Sequence, residues 1–158
     1  MIGHSKGFTL TELLVTLTIL AILSASILPL VTNTLKRERE IDLQRNLRLL
    51  REAIDRYKAL ADEKKIETEE ESYGYPPDLQ TLVEGVEVKV EVEGGGTSLK
   101  VIKFLRRIPK DPMTNSIEWG LRSYQDDHDS TVWGGENVYD VYTTSLGFAF
   151  DGSRYRDW

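Results

Sequence analysis

Three hydrophobic rhythms follow one another along the chain. From Leu13 to Leu35 there is no charged residue. As a helix, those 23 residues would extend about 35 Å at ~1.5 Å per residue, enough to cross a bilayer core. Thr16, Thr18, Ser24 and Ser26 can return their hydroxyls to the preceding helical turn, so they do not forbid insertion. Residues 36–66 lack Pro and Gly, and Leu43, Leu47, Leu50, Ile54, Tyr57 and Ala61 recur every three or four positions. That spacing predicts an amphipathic helix whose single apolar stripe packs on the domain that follows. Arg51 and Asp55 stand at helical spacing for a weak surface pair. From Val86 to Val92 the period drops to two, with valines on one face and Glu87, Lys89 and Glu91 on the other. That is a half-buried strand. Gly94-Gly95-Gly96 turns the chain, and Leu99 to Leu105 is expected to return as the antiparallel partner.

The segments between these elements are punctuated. Glu67 to Glu71 is nearly all acidic, so residues 67–74 read as a solvated loop. After Tyr75-Pro76-Pro77, Asp78 can cap a short helix through Leu82-Val83 that ends near Gly85. Two prolines three apart, in Arg106-Arg107-Ile108-Pro109-Lys110-Asp111-Pro112, break regular structure and leave a basic loop. The last third is turn-rich, with short strands expected at Gly120–Tyr124, Val138–Thr143 and Gly147–Phe150. Trp119, Trp133, Tyr139, Tyr142, Phe148, Phe150 and Trp158 are assigned mainly to the core and strand faces rather than to a ligand-binding box. The fold class is α+β: a long N-terminal helix, first apolar and then amphipathic, packed on a small antiparallel β-sheet domain. The divisions are residues 1–7, 8–35, 36–66 and 67–158.

Composition removes several functions. A net charge of −6 argues against nucleic-acid binding, which needs clustered Lys and Arg. Without Cys there are no disulfides, thiolate metal sites or Cys nucleophiles. His occurs only at His4 and His128. No Ser-His-Asp spacing, metal-ligand cluster or phosphate loop is apparent, so a membrane-tethered enzyme or binding module is a remote alternative. Asp126, Asp127 and Asp129 crowd one loop, and oxygen ligands in a loop suit Ca²⁺, although the spacing is not that of an EF-hand. No cofactor is otherwise called for. Asp151 reads as part of an Asp-Gly turn.

The N-terminal end of the apolar run carries the sharpest signal. Met1 to Gly7 is too short for an ordinary secretory signal, and no small-x-small site ends the run. Glu12 lies just inside the run, where an ionised carboxylate is costly and calls for a partner. Hydropathy alone leaves open a plain anchor, an uncleaved signal, or a Glu12 that reaches out to the headgroups.

Lys6-Gly7-Phe8-Thr9-Leu10-Thr11-Glu12-Leu13-Leu14-Val15 resembles the class III signal of type IV pilins and type II secretion pseudopilins. The resemblance implies cleavage after Gly7 by a prepilin peptidase, methylation of the new N-terminal Phe8, and an assembly role for Glu12. Pro29 falls where the family carries a helix-breaking Pro, and one continuous helix is implied through it. The Pro109-Lys110-Asp111-Pro112 block and the 139–158 region are similar to the G-type major pseudopilin. By that likeness the chain is a structural pseudopilin subunit polymerised into the pseudopilus of a type II secretion system. A type IV pilus subunit, in adhesion, motility or DNA uptake, is the alternative. Implied partners are the prepilin peptidase/N-methyltransferase, other copies of the chain, minor pseudopilins, the inner-membrane assembly platform and, before assembly, lipid. The implied location is the bacterial inner membrane, N-terminus cytoplasmic and C-terminal domain periplasmic. Flanking charge disagrees: Lys36, Arg37 and Arg39 outnumber Lys6, which alone would place the N-terminus outside.

Overall fold

In the computed structural model a single helix, α1, runs from Leu10 to Asp62. The structure describes residues 7–92 and 96–158, with the side chains of residues 26–30 and of Val92 outside the description. The helix is continuous past position 29, as the family likeness implies. The kink expected at Pro29 rests on a side chain outside the described residues. The chain divides into two units, Met1–Glu38 and Arg39–Trp158, and α1 contributes to each.

Helix α1 stops at Asp62, earlier than the expected 66, because the chain turns left-handed at Lys64 (φ 55°). Lys64 N–H donates to Ala61 O and Lys65 N–H to Leu60 O, the paired bonds of a Schellman end. The turn sends Ile66 back into the core at 5% exposure. Residues 67–71 after it are exposed, as expected of a solvated loop. A one-turn 3₁₀ helix at Glu70–Ser72 buries Ser72, whose hydroxyl donates to Glu69 O and accepts from Gly74 N.

Within Arg39–Trp158, α1 buries the predicted stripe of Leu43, Leu47, Leu50, Ile54 and Tyr57, with Ala53 added. Ala61 packs at the edge of that cluster. Helix α2 (Leu79–Glu84) begins where expected: Asp78 accepts from the Thr81 N–H at 2.7 Å, and Gly85 closes the end at φ 88°. Its Leu79 and Leu82 join the core.

Strands β1 (Val86–Val92) and β2 (Gly96–Ile102) form an antiparallel hairpin with Val86 opposite Ile102 and Val90 opposite Ser98. Strand β2 starts three residues before the expected Leu99. The alternation predicted one buried valine face, but only the inner end is covered. Val88 is 1% exposed, whereas Val90 is 38% exposed. The hairpin therefore runs beyond the core, and β2 is almost wholly exposed.

A second sheet pairs β3 (Gly120–Arg122) with β4 (Asp140–Tyr142), both shorter than expected. The Tyr142 ring lies directly over Gly120, where a Cβ would come within 2.3 Å of it. The third expected strand, Gly147–Phe150, is only the bridge Phe148–Arg154. It flanks a turn in which Asp151 accepts from the N–H and hydroxyl of Ser153 and Gly152 takes φ 86°. A two-stranded sheet of three-residue strands cannot cover many aromatic rings. Trp119 and Tyr142 are buried in the core, whereas Tyr139, Phe148 and Phe150 are about half exposed.

Polar side chains tie α1 to this domain. Arg51 does not pair with Asp55. Its guanidinium instead grips Asp140 at 2.7 Å and donates to the backbone oxygens of Val141 and Trp158. Glu40 accepts from the Tyr155 hydroxyl (2.8 Å) and the Phe150 N–H.

Candidate functional site

From Leu13 to Ala25 the helix of the first unit is apolar on every side. Leu10, Leu13, Leu14, Val15, Leu17, Ile19, Leu20, Ile22 and Leu23 are all more than half exposed. A helix that is hydrophobic all round is stable only when lipid or other helices surround it. Two of its threonines are internally satisfied. Thr16 and Thr18 donate their hydroxyls to Leu13 O and Leu14 O, as the sequence predicts. Among the described residues no helix is long and apolar enough to cross a membrane. The described side chains of the apolar run stop at Ala25 and resume at Val31.

The helix starts at a point with its own chemistry. Thr9 caps it: its hydroxyl accepts from the Glu12 N–H at 3.2 Å, and its carbonyl accepts from Leu13. Thr9-Leu10-Thr11-Glu12 has the spacing of a capping box, which sequence reasoning passed over although the four letters spell it. Glu12 is thus the acidic residue of the first turn, where the helix dipole favours a negative charge. Before the cap, Gly7 and Phe8 are non-helical and exposed, Phe8 at 80%. A side chain added at Gly7 would meet nothing within 4 Å. The fold places no steric demand for glycine there, so the Gly7-Phe8 junction is an accessible, non-helical peptide next to a capped helix.

The Asp126, Asp127 and Asp129 carboxylates are not brought together. Asp126 accepts backbone N–H groups from Ser123 and Gly134 and so braces its loop. The loop is closed from the other side by the fully buried Asn137, whose side chain accepts from Tyr124 and donates to Gln125. Among the described residues no group of three or more His, Cys, Asp or Glu side chains could hold a metal ion. Asp126 meets both backbone groups through one carboxylate oxygen, Oδ2.

Two further features escaped the sequence. Asp111, in the basic loop, is fully buried and accepts from the Met113 N–H and the Thr143 hydroxyl. Tyr73, Tyr75, Tyr124 and Tyr139 meet in one cluster with ring centroids 5.2–5.8 Å apart. Three of the four rings are about half exposed.

Residues 2–28 match the prokaryotic N-terminal methylation motif. The chain therefore carries a type IV pilin-like signal at the head of α1, joined to a long helix on a small antiparallel β region, the layout of a pilin-like protein. No curated protein and no solved structure matches the chain significantly.

Proposed function

We propose that the chain is a structural pseudopilin subunit, cleaved after Gly7, methylated at Phe8 and polymerised into the pseudopilus of a type II secretion system for protein export. The match of residues 2–28 to the methylation motif, with an exposed Gly7-Phe8 junction near its start, supports processing and assembly as a pilin-like subunit. Before assembly the apolar part of α1 anchors the subunit in the inner membrane, N-terminus cytoplasmic and residues 39–158 periplasmic. Cleavage creates an ammonium group at Phe8 about one helical turn from Glu12. In a low dielectric an unpaired charge is costly, so Glu12 favours docking beside a neighbour that offers its amine. The pairing fixes register more than it adds affinity. The prepilin peptidase/N-methyltransferase, further copies, minor pseudopilins and the assembly platform are the partners. The work is mechanical, without a catalytic residue or a required cofactor.

The absence of Cys favours secretion over a type IV pilus, since many pilus subunits close a C-terminal loop with a disulfide. The intact mass of membrane-extracted protein tests the processing: it should begin at Phe8 and carry one added methyl group. A chain still starting at Met1 would overturn the reading. Deleting the protein should strand exported hydrolases inside the cell. Normal export, with surface fibres lost instead, would move the subunit to the pilus.

A further inference from the structure

Two surfaces of the Arg39–Trp158 unit complement each other, and neither is matched on its own chain. The first is a groove of about 710 Å³ on one flank of α1, lined by Asn46, Leu49, Ile108, Pro109 and Ile117 and rimmed by Arg106, Arg107 and Lys110. Leu49 and Ile117 are 42% and 55% exposed. Arg106, Arg107 and Lys110 make no ion pair among the described residues. The second surface is the tyrosine cluster with the acidic segment just before it. Glu69, Glu70 and Glu71 are exposed and also make no ion pair among the described residues. Gln125, next to Tyr124, binds Glu71 O at 3.1 Å and holds the acidic turn against the rings.

Their placement on the same helix is what matters. The groove lies beside positions 46–49 of α1, anchored by Asn46 donating to Lys110 O. The tyrosine surface lies beside positions 58–61, where Gly74 approaches Ala61 and Lys58 stands 5.5 Å from the Tyr75 ring. Twelve residues at ~1.5 Å put the two about 18 Å apart along the axis. At about 100° per residue, Leu49 and Lys58 leave the helix on opposite sides of the buried stripe. Two complementary surfaces, on opposite flanks and offset along the axis, cannot close a symmetric dimer. A head-to-tail contact between them, with an axial rise from copy to copy, would generate an open helical array.

We infer that the acidic tyrosine surface of one copy docks into the basic groove of the next, aligning parallel helices with an axial stagger. The occupant is a second copy of this chain because the missing charges are its own. Three free carboxylates face three free cations. Tyr rings against Arg, over a small apolar floor, are the chemistry of protein interfaces. The inference rests on the filament reading and specifies its outer contact, separate from the apolar helix.

The absence of native Cys makes oxidative cross-linking clean. In the full-length chain, in cells, Glu70→Cys together with Arg107→Cys should give a ladder of dimers, trimers and higher multimers under mild oxidation. Either single variant should give none, and the two singles co-expressed should give dimers alone. Arg106→Glu with Arg107→Glu should weaken assembly at least several-fold, and adding Glu69→Lys, Glu70→Lys and Glu71→Lys should restore it. Filaments that assemble without the 70–107 ladder would overturn the inference and leave the filament reading intact. Dimers from a single-Cys variant would also overturn it, by showing a symmetric contact. A chain that forms no filament even without substitutions would sink both.

Discussion

Asp111 owes its position to a loop that looks merely basic and proline-rich. It is fully buried, and its carboxylate holds the Met113 N–H at 2.8 Å and the Thr143 hydroxyl, while its carbonyl accepts from Asn115. Removing the carboxylate leaves the buried Thr143 hydroxyl and the part-buried Met113 N–H unsatisfied, at up to ~1–3 kcal/mol each. Asp111→Ala should therefore lower unfolding stability by about 2–4 kcal/mol, read as a shift in urea midpoint of the detergent-solubilised protein. Gly120 makes a second demand. A methyl group there would collide with the Tyr142 ring, which is only 6% exposed and has little room to retreat. Gly120→Ala should cost about 1–3 kcal/mol as an overpacking change. Neither residue advertises this in the sequence, because each role depends on a partner more than twenty positions away.

At the scale of elements, the sequence was most informative where one period repeats. The stripe from Leu43 to Tyr57 and the Asp78 cap needed only local spacing, and both are present. The valine alternation gave the strand correctly but not its burial, since burial depends on how far the core reaches along the hairpin. The end of α1 was missed because a left-handed Lys64 replaces the usual glycine signal. The Glu40–Tyr155 link also lay beyond periodicity, joining α1 to the last turn of the chain. It has a measurable consequence. Burial, then the Glu40 carboxylate accepting its hydrogen bond, pushes the Tyr155 hydroxyl up from 10.0 to about 12. Above pH 10 the unfolded chain releases this proton first, so the native state holds more protons and stability falls as pH rises. The contribution is complete below pH 10 and is lost through pH 12. Melting temperature should fall across that window. Tyr155→Phe should flatten part of the fall, because Tyr57 and Tyr75, also raised by burial, account for the remainder. The 123–137 loop makes the opposite prediction about metal. Held by Asp126 and Asn137 through the backbone, it should melt at the same temperature in excess Ca²⁺ as in chelator. A rise with Ca²⁺ would show binding to the native state.

At the scale of the whole molecule, the N-terminal helix was readable almost letter by letter, while the surfaces that would join copies were not. A run of apolar residues after Gly7-Phe8 is a local pattern, but a groove and a tyrosine cluster exist only once distant loops fold together. The same helix holds a confusion that sequence alone could not separate. Glu12 sits where a capping box wants an acid or amide and where filament assembly wants a charge, and the two roles predict different things. Glu12→Gln retains capping-box chemistry but removes the charge. Thr9→Ala removes the cap, at about 1 kcal/mol, but keeps the charge. If Glu12 docks on the Phe8 amine of a neighbour, Glu12→Gln should leave that amine unpaired and cut sheared filament yield by about tenfold or more, the equivalent of ~1.4 kcal/mol per contact. Thr9→Ala should then assemble with near-normal yield, and both variants should still be cleaved after Gly7. If Thr9→Ala fails as badly as Glu12→Gln, or if Glu12→Gln assembles normally, Glu12 serves the start of the helix and not the joining of subunits.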